Sequence, residues 1–259
     1  MEPPGGFRFV LRYNQAVRRT NWLILLVLCI LLSACEGLAK PQSTSKLCTP
    51  KDTRTMRYLA LGDSYTIGES VAASERWPVQ LTARLRERGF TLDDPFIIAT
   101  TGWTTDELSH AIVQTQPLGP FDLVTLLIGV NNQYRGRSED EYRQQFHTLL
   151  QRAIAYAGND PARVIVLSIP DWSVTPFAVG MGAEKSSLER IARQIDRFNA
   201  INRAETDRSG AHYIDITPLS RQAAQDRSLL ADDGLHPSSK MYAQWVQVIE
   251  PIACDILQR

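Results

Sequence analysis

The order of its apolar segments is the feature that most limits how this chain can fold. Five short apolar runs, rich in β-branched residues, alternate with longer segments of helical periodicity. The runs cover residues 58–61, 96–99, 123–128, 164–169 and 213–216. The helical segments include 77–88, 138–157 and the last part of the chain, where Pro251 predicts a kink. This order predicts an α/β domain with a parallel sheet that helices cover on both faces.

Chemically useful residues follow these runs at the places where a parallel sheet collects its loops. Ser64 follows the first run, Gly102 the second and Asn131 the third, while His236 stands in a loop before the last helix. In such sheets ligands bind beyond the carboxyl ends of the strands. Each residue also has a plain structural reading, because serine caps helices, glycine forms loops and asparagine forms turns. Gly102 precedes Thr104 and Glu107, whose spacing predicts a helix start.

A serine, an acid and a histidine occur in the order needed for a nucleophilic hydroxyl. A serine hydroxyl attacks a carbonyl only when a base takes its proton and a third group orients that base. His236 is the predicted base for Ser64, and Asp233, three residues earlier, is the predicted orienting group. Asp232 competes with Asp233 for that role, and an Asp-x-x-His sequence is by itself also typical of a turn.

The N-terminus predicts export and lipidation. Arg18 and Arg19 precede an apolar run over 22–32, which is too short to cross a bilayer as a helix. The sequence Leu-Ser-Ala-Cys then ends at Cys35 and resembles the lipobox of bacterial lipoproteins. We therefore expect a signal peptide over 1–34, a lipid-bearing Cys35, a tether to residue 55 and one domain over 56–259. An ordinary signal peptide and an uncleaved short anchor are the alternatives.

Charge and cysteine content narrow the class of protein further. The chain has 28 basic and 28 acidic residues, so no charge excess points to a nucleic-acid partner. Export leads to an oxidising compartment, and Cys48 and Cys254 are the cysteines that remain besides Cys35 after signal removal. We expect these two to form a disulfide, with two unrelated thiols as the alternative.

Four short blocks together resemble the SGNH branch of the GDSL-type esterases and lipases. Gly62-Asp63-Ser64-Tyr65, Gly102, Gly129-Val130-Asn131-Asn132 and Asp233-Gly234-Leu235-His236 match these blocks in order. Tyr65 stands where many members have leucine, and Asn132 replaces a frequent aspartate. The resemblance implies a three-layer α/β/α fold with a five-stranded parallel sheet. It also implies an ester hydrolase that needs no metal or organic cofactor.

The resemblance also assigns roles within the predicted site. It implies that Ser64 is the nucleophile, that His236 is the base and then the acid, and that Asp233 orients His236. The oxyanion hole would consist of the backbone N–H groups of Ser64 and Gly102 and the side-chain amide of Asn131.

The substrate is less defined than the chemistry. Trp103, Tyr134, Trp172 and Phe177 lie in or near loops after strands, where they could line an acyl pocket, stack on a sugar or simply pack. No lid-like apolar segment stands out, which favours short acyl esters. We expect a monomeric esterase of the cell envelope, held to a membrane through Cys35, acting on a small-molecule or glycan ester. A polysaccharide or peptidoglycan O-deacetylase is the alternative, and a non-catalytic lipoprotein that binds acylated ligands is a more remote one.

Overall fold

A computed structural model describes residues 48–51, 53–182 and 184–259 of the chain. The predicted signal peptide, Cys35 and most of the predicted tether lie outside the described residues. Within the described residues, no helix is both long enough and apolar enough to span a membrane.

The centre of the domain is a sheet of five parallel strands. The strands are β1 (Tyr58–Gly62), β2 (Phe96–Ala99), β3 (Leu123–Leu127), β4 (Val164–Leu167) and β5 (His212–Ile214). Their order across the sheet is β2-β1-β3-β4-β5, and every neighbouring pair is parallel. The predicted α/β fold with a five-stranded parallel sheet is therefore confirmed.

Helices cover both faces of the sheet. In chain order they are α1 (Ser64–Ile67), α2 (Trp77–Glu87), α3 (Thr105–Thr115), α4 (Val130–Tyr134), α5 (Glu139–Tyr156), α6 (Pro176–Gly180), α7 (Lys185–Ser209), α8 (Thr217–Arg221) and α9 (Ser239–Leu257). Helices α2 and α9 pack together, while α5 packs against both α3 and α7. These two groups form the outer layers of the predicted three-layer arrangement. The predicted kink site, Pro251, lies inside α9.

Burial explains why the short apolar runs become central strands. Every residue of β1, β3 and β4 is buried, as expected for strands with a helix layer on each side. Trp77 of α2 and Trp245 of α9 are completely buried. Removing such large apolar side chains from water supplies much of the driving force for docking these helices.

Several helices begin at side chains that the sequence marked as caps. Glu107 accepts a hydrogen bond from the backbone N–H of Thr104 at 2.8 Å, which confirms the predicted start of α3. The hydroxyl of Ser138 accepts the backbone N–H of Glu141 at 3.2 Å and starts α5. These bonds satisfy N–H groups that the first turn of a helix leaves without partners.

The first described residues pack against the domain, although the sequence assigned them to a tether. Cys48 forms a disulfide with Cys254 of α9, with 5.8 Å between their Cα atoms. Gln258 donates a hydrogen bond to the carbonyl oxygen of Thr49 at 2.8 Å. Arg54 forms an ion pair with Asp122 at 2.6 Å. Cys48, Thr49 and Arg54 are therefore each held against the domain by a specific contact.

Removing the disulfide should reduce stability. The bond closes a loop with a sequence separation of 206 residues, so its loss enlarges the unfolded ensemble. We expect the double variant Cys48→Ser/Cys254→Ser to lose about 2–4 kcal/mol of unfolding free energy, measured by denaturant titration. Reductant should destabilise the wild type and leave the variant unchanged. Equal stability of the oxidised and reduced wild type would contradict this expectation.

Candidate active site

Ser64 lies at the turn between β1 and α1. The strand ends at Gly62, and a Cβ atom there would lie 2.5 Å from the carbonyl oxygen of Leu127, so only glycine allows this close approach. Asp63 caps the helix, because its Oδ1 accepts the backbone N–H of Tyr65 at 3.1 Å. Ser64 is the first residue of the helix and is 4% exposed. Its hydroxyl and backbone N–H are thereby placed at the carboxyl end of the sheet.

Asp63 is a carboxyl group that is completely buried beneath this turn. Burial raises the pKa of Asp63 to about 7, and the hydrogen bond from the N–H of Tyr65 opposes that rise. Its Oδ2 atom has no hydrogen-bond partner among the described residues. Charging this group in the folded protein is therefore unfavourable.

The substitution Asp63→Asn should change how stability depends on pH. A folded-state pKa above the unfolded value means that the folded protein binds more protons between about pH 4 and pH 7, so stability falls as pH rises through that window. The penalty above pH 7 is on the order of 4 kcal/mol. Asparagine keeps the capping oxygen without the charge.

We expect thermal unfolding to show that Asp63→Asn gains stability relative to the wild type between pH 5 and pH 8. The matched control is Asp232→Asn, which changes an exposed carboxylate of the same size. A stability difference for Asp63→Asn that does not vary with pH would show that the buried carboxyl is not responsible.

His236 and Asp233 are directly hydrogen bonded. The Nδ1 atom of His236 lies 2.6 Å from Oδ2 of Asp233. Burial tends to raise the pKa of Asp233, but hydrogen bonds from Ser70, His236 and backbone N–H groups outweigh it and lower that pKa to about 2. An ionised carboxylate only accepts hydrogen bonds, so Nδ1 carries the proton. This leaves Nε2 of the neutral imidazole as the atom that can accept one.

The loop around Asp233 fixes its carboxylate. Its Oδ1 accepts the backbone N–H groups of Leu235 and His236, each at 2.9 Å. The neighbouring acid, Asp232, is exposed. Of the two acids that the sequence offered, it is Asp233 that the structure places against the imidazole.

Asn131 and Gly102 approach the serine from neighbouring strands. Asn131 belongs to α4 directly after β3, and its Nδ2 donates to the carbonyl oxygen of Trp103 at 2.9 Å. This bond orients the amide and leaves its second N–H available. Gly102 follows β2 with a φ of 87°, a conformation that favours glycine. Arg135 holds this turn by donating to the carbonyl oxygen of Gly102 at 2.6 Å.

One cavity of about 180 Å³ brings these residues together. Ser64, Gly102, Asn131 and His236 all line it. Its remaining wall is largely aromatic and includes Tyr65, Tyr134, Trp172 and Phe177. The ring of Tyr65 also packs edge-on against His236, with 5.6 Å between ring centroids. The residue after the serine thereby holds the imidazole beside the same cavity.

Trp103 differs from the other aromatic residues that the sequence marked as candidate pocket walls. Tyr134, Trp172 and Phe177 line the cavity, whereas Trp103 contributes the carbonyl oxygen that orients Asn131. Asn132, the departure from the family pattern, is completely buried and bonds to Thr105 through both ends of its amide, at 2.7 and 3.0 Å. Asn132 therefore joins α4 to α3.

Ser70 is a site residue that sequence reasoning missed. Its hydroxyl donates to Oδ2 of Asp233 at 2.6 Å, the same oxygen that His236 contacts. Ser70 has a φ of 65°, which is uncommon for a residue other than glycine. The two residues are 163 positions apart, so no local pattern could have revealed the contact.

Solved structures with the same fold include several esterases. TesA has 19% identity and a TM-score of 0.56, covering 78% of this chain and 99% of its own. The acetylxylan esterase Axe2 from Geobacillus stearothermophilus has 17% identity and a TM-score of 0.55, covering 76% and 94%. The psychrotrophic esterase EstA from Pseudoalteromonas sp. has 16% identity and a TM-score of 0.54, covering 76% and 96%. At these identities the likeness establishes the fold alone.

Sequence comparison establishes the family. No curated protein matches the chain. The profile of the GDSL-like Lipase/Acylhydrolase family, however, matches residues 60–244, which is more than half of the chain. The match begins in β1, ends in α9 and includes the serine turn and the histidine loop. The chain therefore belongs to the GDSL-like lipase/acylhydrolase family, a family of hydrolases that act on esters.

Proposed function

We propose that this protein is a serine esterase that cleaves short-chain carboxylic esters with Ser64, His236 and Asp233. The observation that carries the proposal is the shared cavity, which Ser64, Gly102, Asn131 and His236 line while Asp233 holds the imidazole at 2.6 Å. A serine, an oriented base and several N–H donors around one space are the groups that acyl transfer requires.

The proposed reaction has two steps that conserve protons. In the first, Oγ of Ser64 attacks the ester carbonyl while Nε2 of His236 takes the hydroxyl proton. The imidazolium then gives that proton to the departing alcohol, which leaves an acyl group on Ser64. In the second step His236 takes a proton from water as the water oxygen attacks the acyl carbon, and the imidazolium then returns that proton to Oγ of Ser64 as the carboxylic acid leaves. Asp233 remains ionised throughout and stabilises the imidazolium.

The developing negative charge on the carbonyl oxygen needs fixed donors. The backbone N–H of Ser64 belongs to the first turn of α1, where helical bonding provides no acceptor. The backbone N–H of Gly102 and the second amide hydrogen of Asn131 are the other proposed donors. Because these groups are held before the reaction starts, they stabilise the charge without reorganising.

Cavity size supports a short acyl group. A volume of about 180 Å³ lies below the range of about 300–1,000 Å³ that is usual for drug-sized ligands. Trp172 is buried at the cavity wall and its indole N–H is bonded to Gln133 at 2.8 Å, so this wall is fixed. A long acyl chain therefore does not fit inside this cavity.

A series of chromogenic esters tests the proposal. The purified full chain should hydrolyse p-nitrophenyl acetate and butyrate with a higher kcat/KM than the octanoate ester. A preference for octanoate would contradict the short-chain assignment. The absence of hydrolysis of all three esters would contradict the esterase itself.

Two neighbouring asparagines should give opposite results when replaced by alanine. Asn131→Ala removes a proposed oxyanion donor, so we expect kcat to fall about 10²–10³-fold with little change in unfolding temperature. Asn132→Ala leaves the buried backbone N–H of Thr105 without its partner, while the Thr105 hydroxyl keeps its bond to Gln145, so we expect a loss of about 1–3 kcal/mol in stability and a smaller change in kcat. Thermal unfolding and steady-state kinetics on both variants check this. A similar kcat for the two would contradict the role of Asn131.

We also propose that the protein is a lipoprotein of the cell envelope, anchored through Cys35. The basic residues, the short apolar run and the cysteine after small residues support this location. Mass spectrometry of the exported chain decides it. An N-terminal lipidated Cys35 is expected, and a mature protein that begins at another residue would contradict the anchor.

A further inference from the structure

A second cavity of about 310 Å³ adjoins the reaction cavity. Tyr134 and Trp172 line both cavities, so the two spaces share these rings as a wall. The rings pack edge to face, with 5.6 Å between centroids. The two spaces are therefore neighbours, and a ligand that occupies both passes over Tyr134, which is exposed, and not through the buried Trp172. The proposed reaction assigns no role to this space.

Hydrogen bonding fixes which polar groups the second cavity presents. The indole N–H of Trp172 can only donate, and Oε1 of Gln133 accepts it at 2.8 Å. The amide of Gln133 is thereby oriented, and its Nε2 donates to Oε1 of Gln194 at 2.9 Å. Because the oxygen of Gln194 is used, its NH₂ group is the end available to a ligand. Gln194 lines the cavity as a hydrogen-bond donor.

The second cavity also carries a positive charge. Arg190 lines it and is exposed. No carboxylate lies within 4 Å of its guanidinium group in the part of the chain that the structure describes. The nearby acid, Glu189, lies instead by Lys185 and Arg193, at 4.0 and 3.8 Å. None of the residues three or four positions from Arg190 on α7 is acidic: they are Ser186, Ser187, Arg193 and Gln194.

We propose that the second cavity binds a carboxylate-bearing sugar, the next unit of an acylated glycan whose ester lies beside Ser64. This inference rests on the proposed esterase function and specifies its substrate. An aromatic wall suits the apolar face of a sugar ring, and the amide of Gln194 suits its oxygen atoms. The guanidinium of Arg190 suits a carboxylate, which it can bind through two parallel hydrogen bonds. A neutral sugar would leave the guanidinium of Arg190 without an ion-pair partner.

Two acetylated glycans, one negatively charged and one neutral, test the proposal. Acetylated oligogalacturonides carry carboxylates, whereas acetylated xylo-oligosaccharides are neutral, and both contain the same type of ester. We expect the wild type to have a higher kcat/KM on the acidic substrate. Arg190→Gln should lower kcat/KM on the acidic glycan about tenfold, mainly by raising KM. Its kcat/KM on p-nitrophenyl acetate and on the neutral glycan should stay within about twofold of the wild-type values. Arg193→Gln is the matched control on the same helix and should leave all three unchanged.

Binding without turnover separates this proposal from the esterase proposal. Calorimetry with Ser64→Ala should show that unesterified oligogalacturonate binds more tightly than xylo-oligosaccharide, and that adding Arg190→Gln removes the difference. If this holds but no ester is cleaved by the wild type, only the esterase proposal fails. Suppose instead that p-nitrophenyl acetate is cleaved, but the neutral glycan is bound with the same affinity as the acidic glycan or cleaved with the same kcat/KM. That result would overturn the acidic subsite. An equal effect of Arg190→Gln and Arg193→Gln would overturn it too.

Discussion

Replacing Ser64 with alanine is expected to lower kcat on p-nitrophenyl acetate by about 10⁶-fold, to the residual rate that binding and oxyanion donors alone provide. Every step of the proposed reaction passes through a covalent bond to this oxygen. The fold should persist, because α1 is capped by Asp63 through the N–H of Tyr65 and not through the serine hydroxyl. Unfolding temperature should therefore stay near the wild-type value.

Steady-state kinetics and thermal unfolding on the same preparation check this expectation. Loss of both activity and folding would mean that the serine is structural. Activity near the wild-type level would show that another group attacks the ester.

Replacing His236 with alanine is expected to cost about as much as replacing Ser64. Without the imidazole, no group in the proposed mechanism takes the hydroxyl proton or protonates the departing alcohol. Because the two residues act as one unit, the double variant Ser64→Ala/His236→Ala should be no slower than either single variant. Losses that multiply in the double variant would show that the two residues work independently.

The two adjacent acids supply an internal comparison for the histidine result. Asp233→Asn should reduce kcat by about 10⁴-fold. The neutral asparagine amide no longer provides the carboxylate that orients the imidazole of His236 and stabilises the imidazolium. Asp232→Asn should remain within about twofold of the wild type, because its exposed side chain is not the partner of His236. A larger loss in Asp232→Asn than in Asp233→Asn would reverse the assignment.

The sequence predicted the strands better than their arrangement. Burial between two helix layers selects apolar residues, and each of the five predicted runs overlaps a strand. The predicted ends of β4 and β5 were each two residues too late, since these strands stop at Leu167 and Ile214. There the hydroxyl of Ser168 accepts the backbone N–H groups of Ile216 and Thr217, at 2.7 and 3.0 Å. The order β2-β1-β3-β4-β5 depends on contacts between distant segments, which local periodicity does not record.

The same limit applies to the site, where the sequence predicted residues in short motifs but not contacts between segments far apart in the chain. Short motifs located Ser64, Gly102, Asn131 and the Asp233–His236 pair, because each side chain needs a particular turn after a strand or before a helix. Ser70 remained hidden, since its partner lies on a different loop.

The second cavity could not be read from the sequence for the same reason. The chain of bonds from Trp172 to Gln133 and Gln194 links three segments of the fold. Composition also did not show that Cys48 and Arg54 contact the domain, because a disulfide and an ion pair to distant residues make these contacts.

The covalent intermediate on Ser64 is the most direct test of the central claim. The wild type should be mixed with p-nitrophenyl acetate, quenched in acid during turnover, digested and analysed by mass spectrometry. The account predicts one acetyl group on Ser64 and none in Ser64→Ala. Turnover with the acetyl group on a different residue, or with no labelled residue at all, would contradict it.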